Sequence, residues 1–172
     1  MIRNLVRYPL QFILLILVQV LVLNNIQFSG YINPFLYILF ILWLPVETPN
    51  PILMVLAFLM GLSIDVFSET LGLHTSAAVF LAFCRPFILK TISPRDGYEL
   101  NQIPSMNQLG TSWFLIYALL CTFAHHFFLF FVEVFSFDNF FNTLGRVFAS
   151  TIFSLILIVI TQFFSFNKES KK

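Results

Sequence analysis

Long apolar stretches, separated by short polar breaks, make up most of the chain. They predict six membrane spans, at about residues 9–28, 31–46, 52–71, 74–90, 113–135 and 140–164. The second span is short for a helix that crosses roughly 30 Å of hydrocarbon, which needs about 20 residues. Because Pro34 and Pro45 bound its middle, and proline interrupts helices, we expect this span to be tilted or partly buried.

The composition agrees with a membrane protein. Of the 172 residues, 59% are hydrophobic and 10% are charged, and the mean hydropathy is +0.90, far from the mix of a soluble domain. Too little chain lies outside the spans for a second domain, so we expect a single all-α transmembrane domain over residues 1–172. The net charge of +1 gives no reason to expect nucleic-acid binding. Cys84 and Cys121 both lie within spans, which favours packing over a disulfide.

The distribution of lysine and arginine predicts the orientation. With six spans, both termini and the loops near residues 48 and 97 lie on one side of the membrane. Eight of the nine lysine and arginine residues are on that side, and only Arg146 is on the other. The eight are Arg3, Arg7, Arg85, Lys90, Arg95, Lys168, Lys171 and Lys172. Since positive charge accumulates in cytoplasmic loops, we expect cytoplasmic termini and a main cytoplasmic loop at residues 91–112.

The third span ends in an unusually polar stretch. If the helix continues through it, Gly61, Asp65, Ser68, Glu69 and Gly72 share one face, since they follow at i, i+4, i+7, i+8 and i+11. An ionised carboxylate that faces lipid costs several kcal/mol, so this face is predicted to point into the protein.

Helix rise places further polar residues at a similar depth. Counted from the ends of their spans, Asp65, His125 and Arg146 all fall in the outer half of the membrane. We therefore expect Asp65 to pair with Arg146. Other polar side chains expected nearby are His125 or His126, and Glu69 or Glu133. The alternative is that each acid reaches the surface or stays protonated on its own.

Such a polar layer has two functional interpretations. Intramembrane acids and histidines mark ion relays, and polar residues between helices can line a substrate cavity, which favours transport. A polar face can also fix the helix register and offer a docking surface for a partner. The pattern of residues does not choose between them.

Catalysis and metal binding find little support in the sequence. It contains no glycine-rich phosphate loop and no nucleophile elbow. His125 and His126 are adjacent, about 100° apart on a helix, which is poor for ligating one metal. We expect no enzyme activity, no cofactor and no metal. Two stripes of small or polar residues, Arg146, Ser150 and Ser154 on the sixth span and Ala118, Cys121, Thr122 and His125 on the fifth, are typical of close helix packing.

Three segments carry a resemblance to a known family. They are Gly61-x-x-x-Asp65-x-Phe67-Ser68-x-x-x-Gly72-x-His74, the pair Arg85-Pro86, and the loop Ile92-Ser-Pro-Arg95-Asp96-Gly97-Tyr98-Glu99. With the small size and the six-span layout, they resemble the MreD family of rod-shape-determining integral membrane proteins over nearly the whole chain. The resemblance implies a non-catalytic subunit of the bacterial inner membrane that binds MreC. Through MreC it would link MreB filaments to RodA and its partner transpeptidase, and so maintain cell shape.

The same resemblance bears on fold and sites. The family's fold is similar to the six-helix substrate-capture subunits of energy-coupling-factor transporters, which keeps capture of a vitamin-like small molecule as the alternative function. The face around Gly61, Asp65 and Glu69 would either brace the bundle or receive the membrane-proximal part of MreC. Arg85, Arg95 and Asp96 would contact cytoplasmic proteins, although anionic membrane lipid alone would explain the charge of that loop.

Overall fold

The structure is a computed structural model that describes residues 2–26, 32–135 and 139–169. Within those ranges the chain is all-helical, without strands. The helices are α1 (Ile2–Leu21), α2 (Leu39–Leu42), α3 (Asn50–Ser68), α4 (Leu73–Thr91), α5 (Met106–Leu109), α6 (Thr111–Val134) and α7 (Phe140–Glu169). A short 3-10 turn, Leu23–Asn25, follows α1.

Five of the described helices, α1, α3, α4, α6 and α7, are long and apolar enough to cross a membrane. Their outward faces carry large exposed apolar side chains, such as Leu14 on α1, Val55 on α3 and Ile152 on α7. Such surfaces suit acyl chains and not water. The chain is therefore a multi-pass membrane protein, and five of the six predicted spans coincide with long helices.

The second predicted span is not a long helix. Residues 32–46, which we call the core segment, contain only the single helical turn α2 and are otherwise irregular. The prolines that bound the segment leave ten residues between them, too few for a helix that spans the bilayer. Yet this is the most buried part of the described chain, with Tyr37, Ile38 and Leu39 all at 0% exposure. Tyr31, at the start of the predicted span, and residues 27 and 28, at the end of the first span, lie outside the described residues.

The core segment runs between the two ends of the bundle. At one end, called the loop end (residues 43–50 and 92–110), the Val46 amide donates to the Gln102 carbonyl at 2.9 Å. Arg7 and Gln162 also reach this end, where they line a small recess. At the other end, called the cavity end (residues 22–26 and 69–73), Asn24 Nδ2 donates to Ser68 Oγ at 2.8 Å. Helices α1, α3 and α6 run from the loop end to the cavity end, and α4 and α7 run in the opposite direction.

Helices α3 and α4 form the closest helix pair, and Gly61 makes this contact possible. A Cβ atom at Gly61 would lie 2.5 Å from Thr75 Cα and 2.7 Å from the His74 carbonyl oxygen. Both are backbone atoms, which cannot turn aside as a side chain can. Because glycine has no side chain beyond a hydrogen atom, the two helix backbones can be in direct contact here, as at small residues in other membrane helix pairs.

Replacing Gly61 by alanine is expected to lower the free energy of unfolding by about 2 kcal/mol, because α3 and α4 must separate to admit the methyl group. In a protein of this size that corresponds to a thermal midpoint about 4–8 °C lower, measured on the purified protein in detergent. Leu62→Ala is the control, since Leu62 is 41% exposed on the outer face of the same helix. Equal midpoints for the two variants would contradict the close contact.

Candidate functional site

The core segment lacks most of the hydrogen bonds that a helix makes within itself, and side chains from α1 and α7 supply replacements. Gln19 Oε1 accepts from the Leu36 amide at 2.8 Å, and Gln19 Nε2 donates to the Pro34 carbonyl at 3.0 Å. Irregular backbone at membrane depth is tolerated only where the protein satisfies its polar groups. Gln19, itself fully buried, does so with both ends of its amide.

Two serines of α7 act in the same way. Ser150 Oγ accepts from the Asn33 amide at 3.1 Å, and Ser154 Oγ accepts from the Phe35 amide at 2.9 Å. The predicted stripe of Arg146, Ser150 and Ser154 thus gives close contact to the core segment through its serines. The hydroxyl groups serve there as hydrogen-bond acceptors, in addition to being small enough for close packing.

Arg85 lies inside the bundle and not on the cytoplasmic loop, which corrects its predicted role as a loop contact. It is 1% exposed. Its guanidinium donates to the Leu44 carbonyl, and Nε donates to Tyr117 Oη at 2.7 Å. Tyr117 in turn donates to the Leu42 carbonyl at 3.2 Å. The Leu42 carbonyl ends α2 and the Leu44 carbonyl follows it, so Arg85 and Tyr117 together hold the core segment from the loop end.

Asp65 joins α3 to the start of α4. Its carboxylate accepts from Thr70 Oγ1 and Thr75 Oγ1, each at 2.5 Å, from the His74 amide at 3.0 Å and from the Thr75 amide at 2.8 Å. The two amides belong to the first turn of α4, whose N–H groups have no partner within the helix. The side chain is 4% exposed, so the prediction that it points into the protein is correct.

The predicted pair of Asp65 and Arg146 is wrong. Arg146 Nη2 instead contacts Glu133 Oε2 at 3.2 Å, and its guanidinium lies 4.5 Å from the centre of the Phe130 ring. The reason is the arrangement of helices, because α7 packs mainly against α6, which carries Glu133, while Asp65 faces α4. Similar depth in the membrane does not make two helices neighbours.

The predicted common face of Gly61, Asp65, Ser68, Glu69 and Gly72 is also not formed as a continuous helix. Helix α3 ends at Ser68, and Glu69 and Gly72 adopt left-handed backbone angles with φ of 55° and 83°. Ser68 turns toward Asn24, and Glu69 is exposed. The physical cause is local, since Gly72 allows the sharp turn that brings Thr70 and the start of α4 onto Asp65.

The histidines form a buried network around Tyr37 instead of flanking an ion pair. Tyr37 Oη lies 3.2 Å from His74 Nδ1 and 2.6 Å from His125 Nε2. His126 is bonded separately, with Nε2 at 3.1 Å from Ser154 Oγ and Nδ1 at 2.8 Å from the Thr122 carbonyl. The network therefore ties α4, α6 and α7 to the core segment.

The sequence analysis missed three of these residues, Gln19, Tyr37 and Tyr117. A signal was present, since each is a polar side chain in the middle of an apolar stretch and must find a partner there. Their partners could not be identified from the sequence. Gln19 and Tyr117 bond to backbone groups of an irregular segment, and Tyr37 bonds to histidines on two different helices.

The loop end presents Arg95 and Asp96 to the surroundings. Both are exposed in a turn closed by a hydrogen bond of 3.0 Å from the Gly97 amide to the Pro94 carbonyl. Behind the turn, Tyr98 Oη donates to the Leu89 carbonyl at 2.7 Å, and burial raises the pKa of Tyr98. The loop is thus fastened to the bundle while its two charges remain accessible.

A cavity of about 380 Å³ opens at the cavity end. Its polar lining residues include Asn24, Asn33, Ser68, Thr70, His74 and Glu133, and its aromatic lining residues are Phe35, Phe67 and Phe130. Among the described residues, no three His, Cys, Asp or Glu side chains come together as metal ligands would. The volume lies at the lower end of the range of small-molecule sites.

No protein-family model, curated protein or solved structure matches this chain.

Proposed function

We propose that the chain is a non-catalytic scaffold subunit of the bacterial cell-elongation machinery, as its resemblance to the MreD family implies. The observation that carries the proposal is that three residues of the resembling segments make structural contacts inside the bundle. Gly61 lets α3 and α4 touch, Asp65 caps α4, and Arg85 holds the core segment. These are all contacts within the chain that fix the shape of the bundle, which is what a scaffold requires.

The proposed topology has six crossings, with the core segment as the second. It follows α1 and precedes α3, and it runs from the cavity end to the loop end. Polar side chains around it satisfy its backbone hydrogen-bonding groups, which allows a non-helical segment to cross a membrane. Of the cations predicted to be cytoplasmic, Arg7 and Arg95 lie at the loop end, which supports cytoplasmic termini in the inner membrane. The proposal includes a fold similar to the substrate-capture subunits of energy-coupling-factor transporters, as the resemblance implies.

The two ends suit different partners. The cavity end would face the periplasm and receive the membrane-proximal part of MreC. The loop end would meet cytoplasmic proteins or anionic lipid through Arg95 and Asp96, which are exposed. MreB, RodA and its partner transpeptidase would belong to the same complex, some of them indirectly.

Co-purification and depletion test this proposal together. The tagged protein, extracted from its host membrane in mild detergent, is expected to retain MreC, and depletion in the host is expected to turn rods into spheres. An Asp65→Asn variant should neither retain MreC nor restore the rod shape of depleted cells. Glu69→Gln should do both, since Glu69 is exposed and makes none of the Asp65 contacts. Unchanged rods after depletion, together with no retained MreC, would refute the proposal.

A second candidate function, capture of a small molecule for transport, is favoured by the cavity at the cavity end. It predicts saturable uptake or binding by the subunit expressed without MreC, and it predicts no change of cell shape on depletion.

A further inference from the structure

The hydrogen-bond network around Tyr37 determines what the cavity offers to a ligand. His125 Nδ1 is buried and has no partner in the described chain. A buried N–H without an acceptor is rarer and costlier than a bare lone pair. The proton of neutral His125 therefore sits on Nε2, which donates to Tyr37 Oη.

The position of the His125 proton also determines the proton positions of Tyr37 and His74. Tyr37 has one hydroxyl proton, and because its oxygen accepts from His125, that proton is donated to His74 Nδ1. His74 must then carry its own proton on Nε2. His74 lines the cavity, and its Nε2 has no hydrogen-bond partner among the described residues. The buried chain of three side chains thus fixes a hydrogen-bond donor on the cavity wall.

The other walls complete the description of a site. Glu133 is the charged residue of the described lining, and it accepts from Arg146, which is not part of the lining. The described part of the wall accordingly has no lysine or arginine to attract an anion. Ser68 adds a hydroxyl group, and Phe35 and Phe130 add aromatic faces that suit a ring.

We propose that this cavity binds a small uncharged ring compound that presents a carbonyl or hydroxyl oxygen to His74 Nε2. The site goes beyond the scaffold function and does not rest on it, because the donor and the walls are present in the chain alone. For the capture function, which uses the same cavity, the proposal specifies the class of ligand.

Three matched probes test the chemistry on the unaltered protein in detergent. Benzamide is uncharged and has a carbonyl oxygen, aniline has the ring without that oxygen, and benzoate has the same shape with a negative charge. Benzamide is expected to bind at least tenfold more tightly than the other two, read from the shift of the His74 side-chain nitrogen signals in a titration. The same spectra should show a protonated Nε2 and a bare Nδ1 in His74.

Two variants locate the site. Glu133→Gln removes the carboxylate from the wall and should raise benzoate affinity at least tenfold, because the described lining then no longer repels an anion. Glu69→Gln is the control, since Glu69 is an exposed acid near the same end that does not line the cavity, and it should change nothing. Equal binding of the three probes, a proton on His74 Nδ1, or the same behaviour of both variants would overturn the proposal. Failure here would leave the MreC and cell-shape results untouched.

Discussion

Asp65→Asn is expected to destabilise the protein by about 3 kcal/mol, since hydrogen bonds to a charged group contribute roughly 1.5–3 kcal/mol each. Asparagine keeps one acceptor oxygen but places an NH₂ group where a second oxygen now accepts from two donors. The start of α4 then loses part of its cap and the negative charge that its dipole favours. The thermal midpoint in detergent should fall by about 6–12 °C.

Glu69→Gln provides the matched control, because it makes the same chemical change four residues later on an exposed side chain. Its midpoint should stay within about 2 °C of the parent, as exposed substitutions usually change stability by less than 0.5 kcal/mol. If both variants unfold at the same temperature, the carboxylate of Asp65 does not hold the joint between α3 and α4.

Arg85→Met is the second change with a large expected effect, also about 3 kcal/mol. Methionine fills a similar space but leaves the Leu44 carbonyl buried without its donor and removes the partner of Tyr117. The core segment would then be loose at the loop end. Limited proteolysis between α2 and α3, at residues 43–49, should become faster than in the parent, along with a lower thermal midpoint.

Arg85→Lys separates charge from geometry. Lysine keeps the positive charge, but its single ammonium group cannot match the planar fork that reaches both a carbonyl and Tyr117. We expect a loss intermediate between parent and Arg85→Met. Arg95→Met, on the exposed turn, is the control and should unfold like the parent. A fully stable Arg85→Met protein would show that the guanidinium is dispensable.

The long helices could be predicted from the sequence because their signal is local. An apolar run of about 20 residues is sufficient to indicate a span, whatever surrounds it. The core segment could not be predicted in this way. Its stability depends on Gln19, Arg85 and Ser154, which lie far from it in sequence and on different helices. Its short length and its prolines indicated only that an ordinary spanning helix was unfavourable.

The candidate site was predicted in part. Burial of Asp65 followed from the cost of a carboxylate in lipid, and the structure confirms it. Its partners did not follow, since they depend on where α3 ends. The helix ends before Glu69, which has a positive φ. The turn that follows brings hydroxyl and backbone donors to Asp65, in place of the predicted partner Arg146. Helical spacing predicts a shared face only while the helix continues.

The core segment also constrains the order in which this protein can be made. The Asn33 and Phe35 amides bond to serines that lie 117 and 119 residues later in the chain, on the last helix. In the proposed topology, those amides enter the bilayer before Ser150 and Ser154 have been synthesised. Nascent chains arrested before residue 150 are therefore expected to depend on the translocation machinery or on water to shelter this stretch until α7 is inserted.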